Sequence, residues 1–255
     1  MSYYRGPYGG GTVTLALPPF TPAVRRILYV LGGMFVLQLV LRFGAPELYA
    51  RAMDLLALDP QLRLRDAAGQ ATPPIAAWQL LTYALLHGGV VHLLLNGLGL
   101  WMFGGDVERV LGTRGFVRYF LVCVAGGGAA VVLLALLLTG ATIPVIGASG
   151  GVIGLVVAFA LLYPERRVFI FPIPFPLPAW VMALVYALIN VYGAVQDALM
   201  PGGAGSVSYA AHLGGLAAGF LYFKGFIRPG SWFRRKRRHP QFRVVKGGPG
   251  PFDIN

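Results

Sequence analysis

Residues 147–163 read GASGGVIGLVVAFALLY, a run without a single charged side chain. A helix needs about 20 largely apolar residues to cross the hydrocarbon core of a bilayer, so this run predicts a short membrane span. The composition around it agrees, because 56% of the chain is hydrophobic, only 12% is charged and the mean hydropathy is +0.68. Soluble domains carry roughly twice that charged fraction, which excludes a soluble globular enzyme, and the hydrophobicity excludes a disordered chain.

Further apolar runs lie on both sides of this stretch and predict an all-α, polytopic membrane protein. We predict a bundle of six transmembrane helices, at residues 27–43, 90–103, 116–138, 147–163, 177–198 and 207–227. The first run could also be read as a cleaved signal peptide. That interpretation is disfavoured, because the run is too long for the apolar h-region of a signal peptide and no small-residue cleavage site closes it.

The charges are distributed unevenly between the predicted loops. The chain has 21 basic and 9 acidic residues and a net charge of +12. Basic residues cluster before the first span, between spans two and three, between spans four and five, and after span six. Because such residues favour the cytoplasmic side, we predict that both termini are cytoplasmic. The loop at residues 44–86 is then a long first external loop, and its leucines and Trp78 predict partial immersion in the membrane interface.

Three regions follow from this topology. Residues 1–26 form a cytoplasmic N-terminal segment, residues 27–228 the six-helix domain, and residues 229–255 a basic cytoplasmic tail. The tail contains RRKRR at 234–238, which a nucleic-acid-binding protein could also carry. Contact with anionic lipid is the favoured interpretation of a basic segment directly after a span, so no nucleic-acid partner is predicted.

Polar side chains within apolar spans are costly and are usually functional or mutually paired. His92 and Asn96 are four residues apart and share one helix face. A hydrogen bond that packs two helices together is the alternative explanation for them. Ser149 lies near the start of the fourth span, where free backbone N–H groups and the helix dipole can stabilise an oxyanion. A helix-capping serine is the alternative there.

The sixth span carries His212, followed by the small residues Gly215 and Gly219 at a spacing of four. The fourth span has its own stripe of small residues, at Gly147, Gly150, Gly151 and Gly154. If the two stripes pack together, His212 reaches the Ser149 hydroxyl and can remove its proton during attack on a carbonyl. A packing histidine bonded to a backbone carbonyl is the alternative.

The predicted topology places these polar groups at one depth, in the extracytoplasmic half of the membrane. No third member of a catalytic triad is evident in the sequence, and Asp197 is interpreted as a loop or capping residue. Cys123 is the sole cysteine, so no intrachain disulfide forms, and no Cys/His cluster has the spacing of a metal site. We therefore predict no metal and no cofactor.

Residues 78–226 resemble the rhomboid intramembrane serine proteases, and the matching residues agree in order and spacing. The matches are His87, His92 and Asn96, as in the family's HxxxxHxxxN; Phe103-Gly104-Gly105 with Glu108 and Gly112; Gly147-Ala148-Ser149-Gly150; and Ala211-His212 with Gly215 and Gly219.

The resemblance implies a Ser149–His212 catalytic dyad. It implies an oxyanion site formed by the Ser149 backbone N–H with the His92 and Asn96 side chains. Supporting roles fall to His87, Gly147, Gly150, Gly215 and Gly219. The implied activity is serine endopeptidase cleavage of transmembrane segments of other membrane proteins, near the extracytoplasmic side of the bilayer.

Two positions depart from the family's pattern. Gln79 follows Trp78 where the family often has arginine, which puts in doubt any role of an arginine in holding the first loop. Ile153 stands where the family usually has an aromatic residue that stacks on the catalytic imidazole, so aliphatic packing is expected to hold that ring. Neither change removes a group from the dyad, and activity is predicted.

Substrate access requires moving parts, for which the fifth span and the loop at residues 199–205 are the candidates. Proline and glycine in that loop favour a flexible cap, and a plain connector is the alternative.

Two other functional classes are consistent with a polytopic chain. A non-proteolytic rhomboid-like protein that binds membrane clients would typically lack the serine or the histidine, and this chain keeps both. A small transporter would show an inverted repeat, and none is apparent. Arginine outnumbers lysine 18 to 3, which hints at a GC-rich bacterial genome and hence the inner or plasma membrane. The sequence makes no prediction of oligomeric state.

Overall fold

A computed structural model describes residues 18–65, 71–72, 76–139, 143–169, 175–199 and 206–226 of the chain. Within these residues it contains seven α-helices: α1 Pro22–Gly44, α2 Pro46–Leu56, α3 Gln79–Thr82, α4 Val90–Leu134, α5 Ser149–Leu162, α6 Ala179–Leu199 and α7 Ser206–Phe226. A 3-10 turn at Tyr83–Leu85 continues α3, and a π-helical turn at Ala135–Thr139 continues α4.

Two short antiparallel ribbons interrupt the otherwise helical fold. The first pairs β1 (Leu64–Arg65) with β2 (Ala71–Thr72), and the second pairs β3 (Arg167–Val168) with β4 (Leu177–Pro178). The sequence pattern predicted neither ribbon, because strands of two residues are too short to show an alternating pattern.

Each predicted apolar run coincides with a helix of the structure. Among the described residues, three helical stretches are long and apolar enough to cross a membrane: Pro22–Gly44, Val90–Leu137 and Ala179–Gln196. Helix α5 is apolar but shorter, as its sequence predicted. The basic tail, most of the N-terminal segment and residues 200–205 of the predicted cap lie outside the described residues.

The second and third predicted spans form the two halves of α4. The backbone leaves helical geometry at Gly112, where φ is 72° and ψ is 160°. A Cβ built on Gly104 would lie 3.3 Å from the Phe116 ring, although residues twelve apart on a straight helix are separated by about 18 Å. The chain therefore folds back at Gly112, and glycine is needed there because L side chains rarely adopt this conformation.

The second half of α4 packs against both α5 and α7 through small residues. A Cβ on Gly126 would lie 2.3 Å from Ala218 Cβ, and one on Gly127 would lie 2.7 Å from the Ala211 carbonyl oxygen. Tyr119 anchors the same interface, because its hydroxyl donates to the Gly154 carbonyl at 2.5 Å. Close backbone approach through small residues is how helices associate in membranes, and here it sets the distance between α5 and α7.

Glu108 holds the beginning of α1 against the fold-back of α4. Its buried carboxylate accepts hydrogen bonds from the Ala23 and Val24 backbone N–H groups at 3.0 and 3.1 Å, and from the hydroxyls of Thr21 and Thr113. The first N–H groups of a helix have no partner within it, and negative charge is favoured at this end. Glu108 thus caps α1 from another helix.

We expect Glu108→Ala to lower the free energy of unfolding by about 1–3 kcal/mol, because it leaves buried backbone donors without an acceptor. Equilibrium unfolding in detergent measures this change. The matched control is Glu165→Ala, which removes the same charge from an exposed position and should shift stability by less than about 0.5 kcal/mol. Equal effects of the two substitutions would contradict the capping role.

The end of α2 is capped by side chains that lie more than twenty residues later in the chain. Gln79 Nε2 donates to the Asp54 carbonyl, Trp78 Nε1 to the Leu55 carbonyl and Thr82 Oγ1 to the Leu56 carbonyl, at 2.9, 2.9 and 2.8 Å. These carbonyls belong to the last turn of α2, where backbone acceptors lack helical partners. Fully buried Gln79 therefore ties the first loop to α3 in this chain, at the position where the family often has arginine.

The same loop also supports the segment that precedes α5. Leu58 and Val145 exchange two backbone hydrogen bonds, of 3.0 and 2.9 Å, in an isolated antiparallel bridge. Leu58 is fully buried. Its pairing with Val145 therefore attaches the first loop to the segment that leads into Ser149.

Candidate active site

Ser149 is the first residue of α5, as the sequence predicted for a residue near the helix start. The segment before it is fixed by the Val145 bridge and by the Gly147 N–H, which donates to the Tyr83 carbonyl at 2.9 Å. The residues that follow Ser149 are almost all buried, whereas Ser149 itself is half-buried. Its hydroxyl therefore occupies a defined position with one side open.

His212 reaches Ser149 from α7. Its Nε2 lies 2.8 Å from Ser149 Oγ, within hydrogen-bond distance. The two residues are 63 positions apart in the chain, and the contact between α5 and α7 brings them together. A nucleophile and a base in this relation are the arrangement that activates a serine hydroxyl for attack.

The small residues of α5 and α7 make this distance possible. A Cβ on Gly215 would lie 2.2 Å from the Gly150 carbonyl oxygen, and a Cβ on Gly219 would lie 3.2 Å from Gly154 Cα. A Cβ on Gly150 would lie 3.2 Å from both the Ala211 carbonyl oxygen and the Tyr83 hydroxyl. The two small-residue stripes therefore pack together, which is the condition under which the sequence allows His212 to reach Ser149.

His92 and Asn96 converge on the backbone that leads into Ser149. Gly147 has a φ of +123°, and a Cβ built on it would lie 2.6 Å from His92 Cε1, 2.7 Å from His92 Nε2 and 3.8 Å from Asn96 Nδ2. Asn96 is buried, and Nδ2 of this side chain has no hydrogen-bond partner among the described residues. A buried amide donor without a partner in the described part of the chain thus lies beside Gly147, two residues before Ser149.

The tautomer of His92 follows from its one backbone contact. The Gly88 N–H donates to His92 Nδ1 at 3.4 Å, so Nδ1 acts as an acceptor. In a neutral imidazole the other nitrogen then carries the proton, which makes Nε2–H a donor on the side that faces Gly147. His92 and Asn96 together present two donors near the start of α5.

We expect Gly147→Ala to lower turnover by about tenfold or more, since a displacement of reacting groups by about 1 Å is enough for such losses. The added Cβ would collide with the His92 ring in a backbone conformation that disfavours L side chains. Steady-state cleavage assays measure the effect. Gly44→Ala is the control, because a Cβ there meets no atom within 4 Å. A Gly147→Ala protein as active as this control would show that the close fit is not required.

His87 lies behind His92 rather than at the nucleophile. It is buried, and its ring meets the His92 ring edge-on at a centroid distance of 5.2 Å. Neither ring nitrogen of His87 has a partner among the described residues. Gln38 of α1 holds the His87 backbone, because its amide donates to the His87 carbonyl at 3.3 Å and accepts from the His87 N–H at 3.0 Å.

Sequence reasoning missed one residue of the site, Asn190 on α6. Its Oδ1 lies 2.7 Å from His212 Nδ1, on the opposite side of the imidazole from Ser149. The available signal was a lone asparagine within an apolar span, which is uncommon unless it is paired or functional. Ile153 is buried within α5. The side chain of Asp197 lies outside the described part of the chain.

Comparisons with known proteins agree on one family. Residues 75–229 match the family model of the Rhomboid domain. The chain is 33% identical over 140 residues to "Rhomboid protein 1, mitochondrial" of Saccharomyces cerevisiae. The matched region covers 54% of this chain and 39% of that protein. The chain is 32% identical over 181 residues to "RHOMBOID-like protein 4" of Arabidopsis thaliana, covering 67% and 41%.

A relative named as a protease also matches. The chain is 31% identical over 148 residues to "Rhomboid protease GluP" of Bacillus subtilis, covering 56% of this chain and 25% of that protein. The matched regions span less than half the length of each of these three relatives. The family model, in contrast, covers more than half of this chain, including Ser149 and every histidine and asparagine of the site described above. The chain is therefore a polytopic membrane protein that belongs to the rhomboid family.

Proposed function

We propose that this protein is an intramembrane serine endopeptidase that cleaves transmembrane segments of other membrane proteins. The observation that carries the proposal is the 2.8 Å contact between His212 Nε2 and Ser149 Oγ. The donors beside Gly147 support it, because a hydrolase needs hydrogen bonds where negative charge develops on the attacked carbonyl. Family membership supports the same activity, since the relatives include proteins named as proteases.

The reaction begins when Ser149 Oγ attacks the carbonyl carbon of the scissile peptide bond. His212 Nε2 accepts the hydroxyl proton as the bond forms. The resulting oxyanion receives hydrogen bonds from the Ser149 backbone N–H and from the side chains of His92 and Asn96. These groups stabilise the tetrahedral intermediate more than the substrate, which is the condition for faster chemistry.

The intermediate then collapses to an acyl-enzyme. His212 returns its proton to the leaving amine, and the carboxyl-side fragment departs. A water molecule next gives its proton to His212 Nε2 and attacks the ester carbonyl. The second tetrahedral intermediate releases the new carboxylate and restores the Ser149 hydroxyl. His212 thus acts as base and then as acid in each half of the reaction.

The proposed topology has six transmembrane helices in residues 27–228 and both termini in the cytoplasm. Within it, Ser149, His212, His92 and Asn96 share the extracytoplasmic half of the membrane. The distribution of basic residues supports this orientation. The Arg-rich composition supports a bacterial plasma or inner membrane as the location, with residues 1–26 and the basic tail at 229–255 on the cytoplasmic face.

A helical substrate shields its own carbonyls and must unwind before Ser149 can reach one. Helix α6 is the proposed entry side, because most of its side chains are exposed, among them Trp180, Leu184, Leu188 and Tyr192. The segment at residues 199–205, which follows in the sequence, is the proposed cap.

The experiment is incubation of the detergent-solubilised protein with a panel of single-span membrane substrates, beside the Ser149→Ala variant. Mass spectrometry of the fragments locates the cut. Ser149-dependent cleavage within a transmembrane segment is the expected result. If substrates bind but no peptide bond breaks, and a fluorophosphonate does not label Ser149, the protein binds membrane clients without cleaving them, and the proposal fails.

A further inference from the structure

Asn190 is a buried polar residue on a helix that is otherwise largely exposed and apolar. Only 4% of its surface is exposed, whereas its neighbour Ile189 on the same helix is 57% exposed. The side chain therefore points away from the surrounding lipid and towards α7. An intramembrane polar group in this position needs partners, and Asn190 has two.

The hydrogen bonds of Asn190 define which end of its amide faces His212. Its Nδ2 donates to the Tyr186 carbonyl, one turn earlier on α6, at 2.7 Å. A carbonyl oxygen only accepts, so the group that faces Tyr186 must be the NH₂. The carbonyl oxygen Oδ1 then faces His212 Nδ1 at 2.7 Å.

This orientation sets the protonation of the His212 ring. Because Oδ1 is an acceptor, His212 Nδ1 must carry the proton that is shared with it. In the neutral imidazole, Nε2 is then left with a free lone pair at 2.8 Å from Ser149 Oγ. That is the tautomer a general base requires, and the opposite tautomer would place an N–H against the hydroxyl it has to deprotonate.

We propose that Asn190 is a positioning residue that fixes the tautomer and ring orientation of His212, so that α6 must be docked on α7 for Ser149 to be activated. This inference rests on the proposed protease function and adds a third residue to the Ser149–His212 pair. Asn190 does not touch the reacting atoms and acts through the histidine.

A second contact between α6 and α7 lies one turn later on α6 and one turn earlier on α7. A Cβ built on Gly193 would lie 2.4–2.6 Å from the ring of Tyr209, so this glycine receives the aromatic ring directly against the α6 backbone. Gly193 follows Asn190 by three residues, and Tyr209 precedes His212 by three, so both pairs lie on one interface. Moving α6 away from α7 would separate the two pairs together.

The consequence is a coupling between substrate entry and catalysis. When α6 moves outward to admit a substrate, His212 loses the acceptor that holds its Nδ1 proton. When α6 returns, the bond reforms and the base regains the tautomer it needs. Chemistry is thereby confined to the docked state of α6.

The test compares two substitutions of nearly equal size. Asn190→Leu removes the acceptor, and we expect kcat to fall by about tenfold to a hundredfold with KM within about twofold of the wild type, since binding is untouched. Asn190→Asp retains an oxygen at the same position and should keep kcat within about fivefold of the wild type. Leu133→Ala is the control, because it truncates a 56% exposed side chain on α4, and its kcat should not change. Thermal unfolding verifies that each variant is folded.

The tautomer is read directly by ¹⁵N NMR of histidine-labelled protein in detergent. In the wild type, His212 should show a protonated Nδ1 and an unprotonated Nε2, with its signals assigned by their loss in His212→Gln. The Nδ1–H population should fall in Asn190→Leu. This measurement does not depend on turnover, so it tests the inference even where a folded variant has lost its activity.

The outcomes separate this inference from the proposed function. A wild type that neither cleaves substrates nor labels at Ser149 ends the proposed function, whatever the tautomer of His212. An active wild type with Nε2–H at His212 overturns the role of Asn190 alone. Equal kcat in the wild type and Asn190→Leu overturns it as well, and so does an equal loss in Asn190→Leu and Leu133→Ala.

Discussion

Replacing Ser149 with alanine is expected to lower the rate of peptide-bond cleavage by about 10⁴-fold or more, and His212→Ala should have an effect of similar size. Without the hydroxyl no acyl-enzyme forms. Without the imidazole, which lies 2.8 Å away, the hydroxyl keeps its proton and remains a poor nucleophile. Cleavage of a single-span substrate, followed by the appearance of fragments over time, measures both losses.

The two substitutions should not add when combined. Because Ser149 and His212 act in one step, the double variant should be about as slow as either single variant. Glu165→Ala is a control, since it removes an exposed side chain away from α6 and should leave turnover within about twofold. If Ser149→Ala still cleaves in detergent at a rate near that of the wild type, another group is the nucleophile and the proposed mechanism is wrong.

The dyad illustrates what the sequence could predict. No rule of spacing joins residues 63 positions apart, yet the glycines on the two spans indicated which two helices would have to pack for His212 to reach Ser149. Gly215 lies on the Gly150 backbone because neither has a side chain to keep the helices apart. Small residues repeated every turn are a local signal of a long-range contact, and the polar residues on the same spans then mark which groups meet.

Asn190 shows where this kind of reasoning ends. It lies on α6, 22 residues before His212, and no small-residue pattern in the sequence pairs that part of α6 with α7. The decisive feature is the direction of its amide, which depends on a hydrogen bond to Tyr186 within α6. A side-chain orientation of this kind is a product of tertiary structure and has no counterpart in the order of residues.

The first loop was harder to predict for a different reason. The sequence showed Gln79 beside Trp78, where the family often has arginine, but it did not reveal how the first loop is held without that arginine. Gln79 holds the loop by donating a hydrogen bond to the last turn of α2. A capping side chain of this kind is recognisable only once the end of the helix is known. The sequence predicted interfacial character for this loop but did not predict α2. The backbone carbonyls in the last turn of α2 that need a partner were therefore not predicted either.

Asn96→Ala is the second substitution for which we expect a large effect, a fall in kcat of about 10²–10³-fold with little change in KM. The Asn96 amide is buried beside Gly147, and its Nδ2 has no partner among the described residues, so it is available to a developing oxyanion. A donor that is used mainly in the transition state contributes to kcat rather than to substrate binding. Steady-state kinetics separate the two parameters.

A competing explanation is that Asn96 acts before the transition state, by binding substrate or by packing α4. The same kinetic measurements can reject it. If Asn96 held substrate or packed α4, Asn96→Ala would raise KM or lower the unfolding temperature, and kcat would fall little. Leu95→Ala, at the adjacent and 64% exposed position, controls for truncation of the helix surface. His92→Ala removes the second donor, and we expect a kcat loss of similar order. Because each donor bonds the same oxygen, the double variant should approach the slow rate of Ser149→Ala, which would identify these two side chains as the oxyanion site.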